Sequence, residues 1–484
     1  MSKETSAATR RWREKGAGDH HQAQERFALF ERRMRDEQLP EIVIRTFKYY
    51  YNQLLAGETG LIPESSIRAV ERLPDAESFS EALAQKGQRV LQKTVLMKLN
   101  GGLGTSMGLE SAKSLLTIKH DLTFLDVIAR QAQHVGVPLI VMNSFNTRED
   151  SLQALGRYPW LIEQRVPLDF LQHKVPRVVQ ENLEPVCWAA DAELEWCPPG
   201  HGDIYAALVT SGTLDILLEN GFEYAFVSNA DNLGAVLDLT ILGYFAEQQL
   251  PFLMEVADRT ASDRKGGHLA QTPDGQFILR ESAQCPPEDQ DEFQNIRRHR
   301  YFNTNNLWLH LPSLQHVLQE RDNVLGLPMI RNAKRVDPRD SASTPVYQME
   351  TAMGSAIAVF AGAGAVRVPR DRFTPVKTTD DLLAVRSDAF VLTDDYRIVI
   401  DPARDGAGLV VDLDPCCYRL IDQLEERFPY GPPSLFACRQ FQVVGDVKFG
   451  RNVVAREDVR VVNGGVGQAV IEDGMLITDE IHLS

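Results

Sequence analysis

The run Met97-Lys98-Leu99-Asn100-Gly101-Gly102-Leu103-Gly104-Thr105-Ser106-Met107-Gly108, followed by Lys113-Ser114, has the residue types of a phosphate cradle. Glycine permits close backbone approach and positive φ, so several N–H groups can converge on phosphate oxygens. Lys113 supplies a mobile ammonium for the charge that backbone dipoles leave uncovered. Two common phosphate motifs fail here. The glycine after Gly102 and Gly104 is Gly108, one residue late for a dinucleotide fingerprint, and Lys113-Ser114 follows Ala112 where a P-loop needs glycine. Gly104-Thr105-Ser106-Met107-Gly108 does match G-x-S-x-G, which makes a hydrolase using Ser106 the alternative from a different class. A nucleophile elbow needs its strand to run nearly into the serine, however, and Asn100-Gly101-Gly102 has already turned the chain. A purely structural glycine turn is the plain alternative.

Other candidates are spread along the chain. Asp231, in Asn229-Ala230-Asp231-Asn232, follows the apolar run Tyr224–Val227. A carboxylate there suits Mg²⁺, which takes oxygen ligands, and equally suits a turn. Pro198-Pro199-Gly200-His201-Gly202-Asp203 joins a rigid proline pair to a flexible Gly-x-Gly, able to bring amides to a base edge with His201 toward a phosphate. Asn303-Thr304-Asn305-Asn306 offers amides that donate to and accept from sugar hydroxyls, or that simply form turns. Lys377, judged by its neighbours alone, is a solvated surface lysine.

Something must position these groups. The runs Thr94–Leu99, Pro138–Met142, Tyr224–Val227 and Phe252–Val256 carry few charges, as strands buried on both faces do. Between the first two, Leu125, Ile128, Ala129 and Ala132 form a helical stripe over Phe124–Val135. Repeated strand–helix–strand units predict an open α/β sheet with ligands beyond the carboxyl ends of its strands. Residues 22–55 read as two helices broken at Pro40, and residues 1–20 as a mobile polar segment. The tail, FQVVGDVKFGRNV onward, sets Val444, Val447, Phe449, Val453, Val459 and Val462 among Gly, Asn and Asp, as hexapeptide-type turns of a small β-helix do; a β-meander is the alternative. The expected division is a helical region 1–93, a catalytic α/β domain 94–390 and a C-terminal region 391–484.

Composition narrows the class. The chain of 484 residues carries a net charge of −16, which argues against nucleic-acid and anionic-membrane partners while leaving room for a local basic pocket. Its first residues have no apolar signal region and no run is long enough to span a bilayer, so a cytoplasmic location is expected. The six cysteines form no C-x-x-C or zinc spacing and read as structural thiols.

The glycine run, MNSFNT (Met142–Thr147), PPGHGDIY (Pro198–Tyr205), FVSNADNLGA (Phe226–Ala235), MEVADRT followed by KGGHL (Lys265–Leu269), FNTNNLW (Phe302–Trp308), VPRDRFTPVKTTDDLL (Val368–Leu383) and the tail FQVVGDVKFGRNV form an ordered series. It resembles the eukaryotic-type UDP-glucose pyrophosphorylases over about residues 94–465; one departure is LESAKS (Leu109–Ser114), where Glu110 stands in a loop that is more basic in other members. The resemblance implies a nucleotidyltransferase-type α/β fold, with a mostly parallel sheet flanked by helices and a short left-handed C-terminal β-helix. The implied reaction is UTP + α-D-glucose 1-phosphate ⇌ UDP-glucose + diphosphate, by direct attack with Mg²⁺. It assigns the nucleotide to Leu99, Asn100, Gly101, Gly102, Lys113, Gln172, Gly200, Asn229, Ala230, Asp231 and Lys377. It assigns the sugar phosphate to Gly101, Gly102, His201, Gly267, Glu281 and Asn305. Asp231 is the implied metal ligand, and Lys113 and Lys377 the implied catalytic cations. Uracil is expected near Gly200 and Gln172, the glucosyl group near Asn305. Broad-specificity UDP-sugar or UDP-N-acetylhexosamine pyrophosphorylases and a non-catalytic nucleotide-binding homologue are the alternatives. A homo-oligomer assembled through the tail is a further expectation.

Overall fold

Residues 26–109, 111–404 and 408–483 are described by the computed structural model. The segment 1–20, Glu110 and the side chain of Ser106 lie outside the described residues. The low-charge runs become strands of one ten-stranded sheet, in chain order β1 (Arg68–Ala69), β2 (Thr94–Asn100), β3 (Leu139–Asn143), β4 (Asp169–Leu171), β5 (Tyr224–Asn229), β6 (Phe252–Asp258), β7 (His268–Gln271), β8 (Phe277–Arg280), β9 (Tyr301–His310) and β10 (Gly364–Arg367). The order is β1-β7-β9-β5-β2-β3-β4, with β8 beside β7 and β6 bridging β9 to β10. The β5-β2, β2-β3, β3-β4 and β6-β10 pairs are parallel, while β9 runs antiparallel to β5, β6 and β7. The sheet is therefore mixed, with most strands pointing one way.

The parallel quartet sets the site. Its registers align Leu99 with Asn229, Asn100 with Asn143 and Asn143 with Leu171, so four strands end together and their loops share one edge. One crossover is the predicted helix Phe124–Val135, opened by a Thr123/Asp126 capping box and closed by Gly136 at φ 76°. Its stripe, with Leu125, Ile128, Ala129 and Ala132, is buried against Leu139 and Val141.

β9 departs from the sequence reading, in which Asn303–Asn306 could simply form turns. The asparagines lie inside the strand, across a bulge. Glu255 of β6 faces Asn306 and Val256 faces Asn303, so Thr304 and Asn305 have no partner across the pair. Asn305 takes φ 58°, a conformation asparagine tolerates better than most residues.

The N-terminal helices, at 26–36 and Glu41–Leu55, break at Pro40 as predicted. They pack Phe30, Phe47 and Tyr51 against Val175, Cys197 and Met349, behind the proline–glycine loop. In the tail, Val410–Leu413, Ser434–Val444, Val454–Asn463 and Glu480–Leu483 pair in parallel in that order, as do Val447–Phe449 and Ala469–Ile471. Phe441, Val447, Phe449, Val459 and Ile471 are buried between them, in an apolar cluster continuous with Phe124, Leu233 and Val376. The tail thus supports the loops that carry Asp231 and Lys377. Among the described residues no helix is long and apolar enough to cross a membrane.

Candidate active site

A cleft of about 890 Å³, open solvent included, lies at the carboxyl edge of the quartet. Leu99, Asn100, Gly101, Gly102, Lys113, Gln172, Gly200, His201, Asn229, Ala230 and Asp231 line it together, with Ser114, Phe124, Met142 and Pro198. The last four had no role assigned from sequence; Ser114, Met142 and Pro198 lie inside quoted motifs, and Phe124 opens the predicted helix.

One flank is made by close backbone approach. A Cβ on Gly101 would stand 2.8 Å from Gln172 Oε1, and one on Gly200 would stand 2.4 Å from the Thr351 carbonyl oxygen. Gly200 also holds φ 79°, where L side chains are strained. Gln172 Nε2 donates to the Gly200 carbonyl at 3.0 Å, so the two candidate base readers form one unit.

The other flank is charged. Gly104 and Gly108, at φ 73° and 75°, turn the chain back so that the Lys113 N–H reaches the Gly102 carbonyl at 3.2 Å. Lys113 Nζ then meets Asp231 Oδ2 at 2.9 Å, with both side chains partly buried. Asp231 Oδ1 is buried and has no hydrogen-bond partner among the described residues. An ionised oxygen withdrawn from water without a donor is costly, and a cation satisfies it. No group of three or more His, Cys, Asp or Glu among the described residues could hold a metal ion. A single carboxylate fits Mg²⁺ all the same, because that ion keeps several waters and draws its other ligands from substrate phosphates.

Lys377 does not line the cleft around Gly101, but it stands beside it. The Val376 N–H donates to the Asp231 carbonyl at 3.0 Å, and Pro375 bridges Asn232. The exposed Lys377 has its Nζ 6.0 Å from the centre of the Phe373 ring. His201 Nδ1 accepts the Met353 N–H at 2.9 Å, leaving the neutral ring's proton on Nε2. Burial, then the charge of Lys377, lowers the His201 pKa to about 4. At neutral pH His201 is therefore a neutral donor.

Gly267, Glu281 and Asn305 form an adjoining shelf. A Cβ on Gly267 would lie 2.5 Å from Glu281 Oε2, the Asn303 N–H donates to the Gly267 carbonyl at 3.1 Å, and Asn303 Nδ2 donates to Asn305 Oδ1 at 2.9 Å. Burial raises the Glu281 pKa, with a hydrogen bond from Asn303 and the charge of Lys377 opposing it. Lys377 therefore acts electrostatically on both the His201 corner and this shelf.

Comparison with known proteins gives one consistent result. The family model described as UTP–glucose-1-phosphate uridylyltransferase matches residues 44–456. A protein of Schizosaccharomyces pombe named probable UTP–glucose-1-phosphate uridylyltransferase is 39% identical over 414 residues, 84% of this chain and 80% of its own length. The UTP–glucose-1-phosphate uridylyltransferase of Solanum tuberosum is 38% identical over 402 residues, 81% of this chain and 82% of its own. Among solved structures, a mutant UDP-glucose pyrophosphorylase from Leishmania major in complex with UDP-glucose superimposes with TM-score 0.87 at 44% identity, over 95% of this chain and 99% of that one. A UDP-glucose phosphorylase from Trypanosoma brucei gives TM-score 0.85 at 44% identity, over 95% of this chain and 100% of that one.

Proposed function

The chain belongs to the UTP–glucose-1-phosphate uridylyltransferase family, and from that premise we propose that its cleft transfers UMP from UTP to glucose 1-phosphate. A phosphate oxygen of glucose 1-phosphate attacks the α-phosphorus of UTP, the bond to the β-phosphate oxygen breaks, and diphosphate leaves as UDP-glucose forms. The observation that carries this reading is Asp231, with one oxygen on Lys113 and the other buried without a donor, at the mouth of a glycine cradle.

The chain's own groups divide the work. Leu99–Gly102 and Gly200 present backbone to the nucleotide, and Gln172 reads uracil with an amide that both donates and accepts. Lys113 and Lys377 offset the charge that gathers on the phosphates in the transition state. His201 donates from Nε2 to a sugar-phosphate oxygen without carrying a charge of its own. Gly267, Glu281 and Asn305 receive the glucosyl hydroxyls. Asp231 would hold Mg²⁺, which when bound adds charge neutralisation at the same phosphates. No covalent enzyme intermediate is needed, because positioning and electrostatics dominate phosphoryl transfer.

For the tail, the parallel pairing of its strands supports a short left-handed β-helix, and its exposed Val466, Val470 and Leu476 support its use in a homo-oligomer. The division at residues 93 and 390 and a cytoplasmic location belong to the same proposal.

The test is diphosphate release with UTP, CTP, ATP and GTP crossed against glucose, galactose and N-acetylglucosamine 1-phosphates. UTP with glucose 1-phosphate should lead by orders of magnitude in kcat/KM. Comparable turnover of ATP removes the base-reading assignment, and comparable turnover of galactose 1-phosphate makes the enzyme a broad-specificity one.

A further inference from the structure

Two charged side chains lie inside strands that sequence reading treated as plain core: Lys98 in β2 and Glu255 in β6, both fully buried. Neither touches the cleft, and a buried charge without a purpose is expensive. Their partners explain them. The Glu255 carboxylate takes both arms of the buried Arg372, Nε at 2.8 Å and Nη2 at 2.7 Å, together with Asn306 Nδ2 at 3.0 Å and Trp308 Nε1 at 2.9 Å. Lys98 Nζ donates to Ser228 Oγ and to the Ala235 carbonyl, each at 2.7 Å. Burial first, then the charge of Arg372, lowers the Lys98 pKa to about 7, with Glu255 and Asp231 opposing.

The network lies under two segments that also meet above it, where the Val376 N–H bonds the Asp231 carbonyl. One is the 229–235 loop carrying Asp231; the other is the 372–377 segment carrying Lys377. Asn232 joins them. Its Nδ2 donates to the Arg372 carbonyl and to Asn306 Oδ1, both at 3.1 Å, and its Oδ1 accepts the N–H groups of Thr374 at 2.9 Å and Gly234 at 3.3 Å. The approach is so close that a Cβ on Gly234 would stand 2.0 Å from the Asp371 carbonyl oxygen. Every hydrogen-bonding position of this buried amide is used: two on the 372–377 segment, one on its own loop and one on Asn306 of β9.

We infer that Asn232, docked on the Glu255–Arg372 pair, is the positioning residue that fixes Asp231 against Lys377. It is buried and does not line the cleft. It makes the carboxylate and the lysine, 146 positions apart in sequence by their numbers, parts of one rigid unit. Misplacing a catalytic group by about 1 Å costs roughly 10²-fold, so the unit's rigidity bears directly on rate. The inference rests on the reading of Asp231 and Lys377 given above.

The test is Asn232→Ala in the full chain, with three readouts: kcat for diphosphate release, the Mg²⁺ concentration giving half-maximal rate, and UDP-glucose affinity measured calorimetrically in EDTA. A positioning role predicts a kcat loss of about 10- to 100-fold, a raised Mg²⁺ requirement, and metal-free UDP-glucose affinity within about threefold of the parent, because the base and sugar contacts are intact. Should that variant not fold, Asn232→Ser carries the same expectation. A folded variant with kcat within twofold of the parent overturns the inference. So does a kcat loss matched by an equal loss of metal-free affinity, which is general collapse of the site. A parent enzyme that releases no diphosphate overturns the reading of the site itself, and this inference with it.

Discussion

The two flanks of the cleft are built from different materials. The side proposed to read the base, Gly101, Gln172 and Gly200, is neutral and held by close approach, with a Cβ on Gly200 striking the Thr351 backbone and one on Gly101 meeting the end of the Gln172 side chain. The side proposed to meet the phosphates, Asp231, Lys113 and Lys377, is charged and stands on the buried Glu255–Arg372–Lys98 network. Each material suits its task. Neutral groups that must pair penalise a wrong base by leaving buried donors and acceptors unmet. Fixed charges lower a barrier at which charge moves, and they do so only if held rigidly. Damage to one flank should therefore appear in kcat, and damage to the other in KM and base choice.

The largest effect should come from Asp231→Ala, which removes both the partner of Lys113 and the buried oxygen. We expect a kcat loss of about 10³-fold or more, at or above the upper end for one electrostatic contact. Steady-state rates across a Mg²⁺ series check this, and a loss of less than about tenfold would break the comparison at its strongest point. Lys377→Met keeps the stem and deletes the charge; kcat should fall roughly 10²-fold with little change in thermal stability. More than half of the parent kcat in this variant would return Lys377 to an ordinary surface lysine.

The base side should respond differently. Gln172→Ala should lower the preference for UTP over CTP by about tenfold, the worth of one or two hydrogen bonds, and leave kcat with UTP within about threefold. A kcat loss as large as that of Lys377→Met would mean that the flanks are not separable. The smallest effect concerns His201. Its pKa is about 4 in the folded chain against an ordinary 6.5, so the unfolded chain binds more protons between those values. The stability this contributes is fully present above about pH 6.5 and is lost as pH falls toward 4. Urea midpoints at pH 6.5 and 4.5 should drop less in His201→Gln than in the parent. The difference between the two proteins isolates His201 from the buried histidines, His268 among them, whose pKa values are also lowered by burial. Equal drops would contradict a half-buried ring kept neutral by the fold.

Much of the base flank was legible in the sequence because glycines and prolines declare their constraints locally. Gly101 and Gly200 mark close approach or positive φ in any fold, whereas Gln172 was legible only through the resemblance. The α/β sheet was legible for a similar reason, since runs buried on both faces carry few charges. On the phosphate flank Lys113 and Asp231 were legible from their own segments, whereas Lys377, which has no local signal, was legible only through the resemblance. The flank's support was hardly legible at all. Lys98 and Glu255 were visible as charges inside apolar strands, but their partner Arg372 lies on another segment, and only pairing in space distinguishes a hub from an edge charge. The bulge that takes Asn305 out of register was hidden as well. It depends on how β6 and β9 align, which no property of Asn303–Asn306 fixes.

Both flanks rest on one claim: the cleft brings two substrates together and contributes charge and position, with no nucleophile of its own. Exchange of labelled diphosphate into UTP tests it directly. The account predicts exchange only when glucose 1-phosphate or UDP-glucose is present, because the α-phosphorus passes straight from one phosphate to another. Exchange at a comparable rate with enzyme, Mg²⁺, UTP and diphosphate alone would reveal a uridylylated side chain and contradict the account.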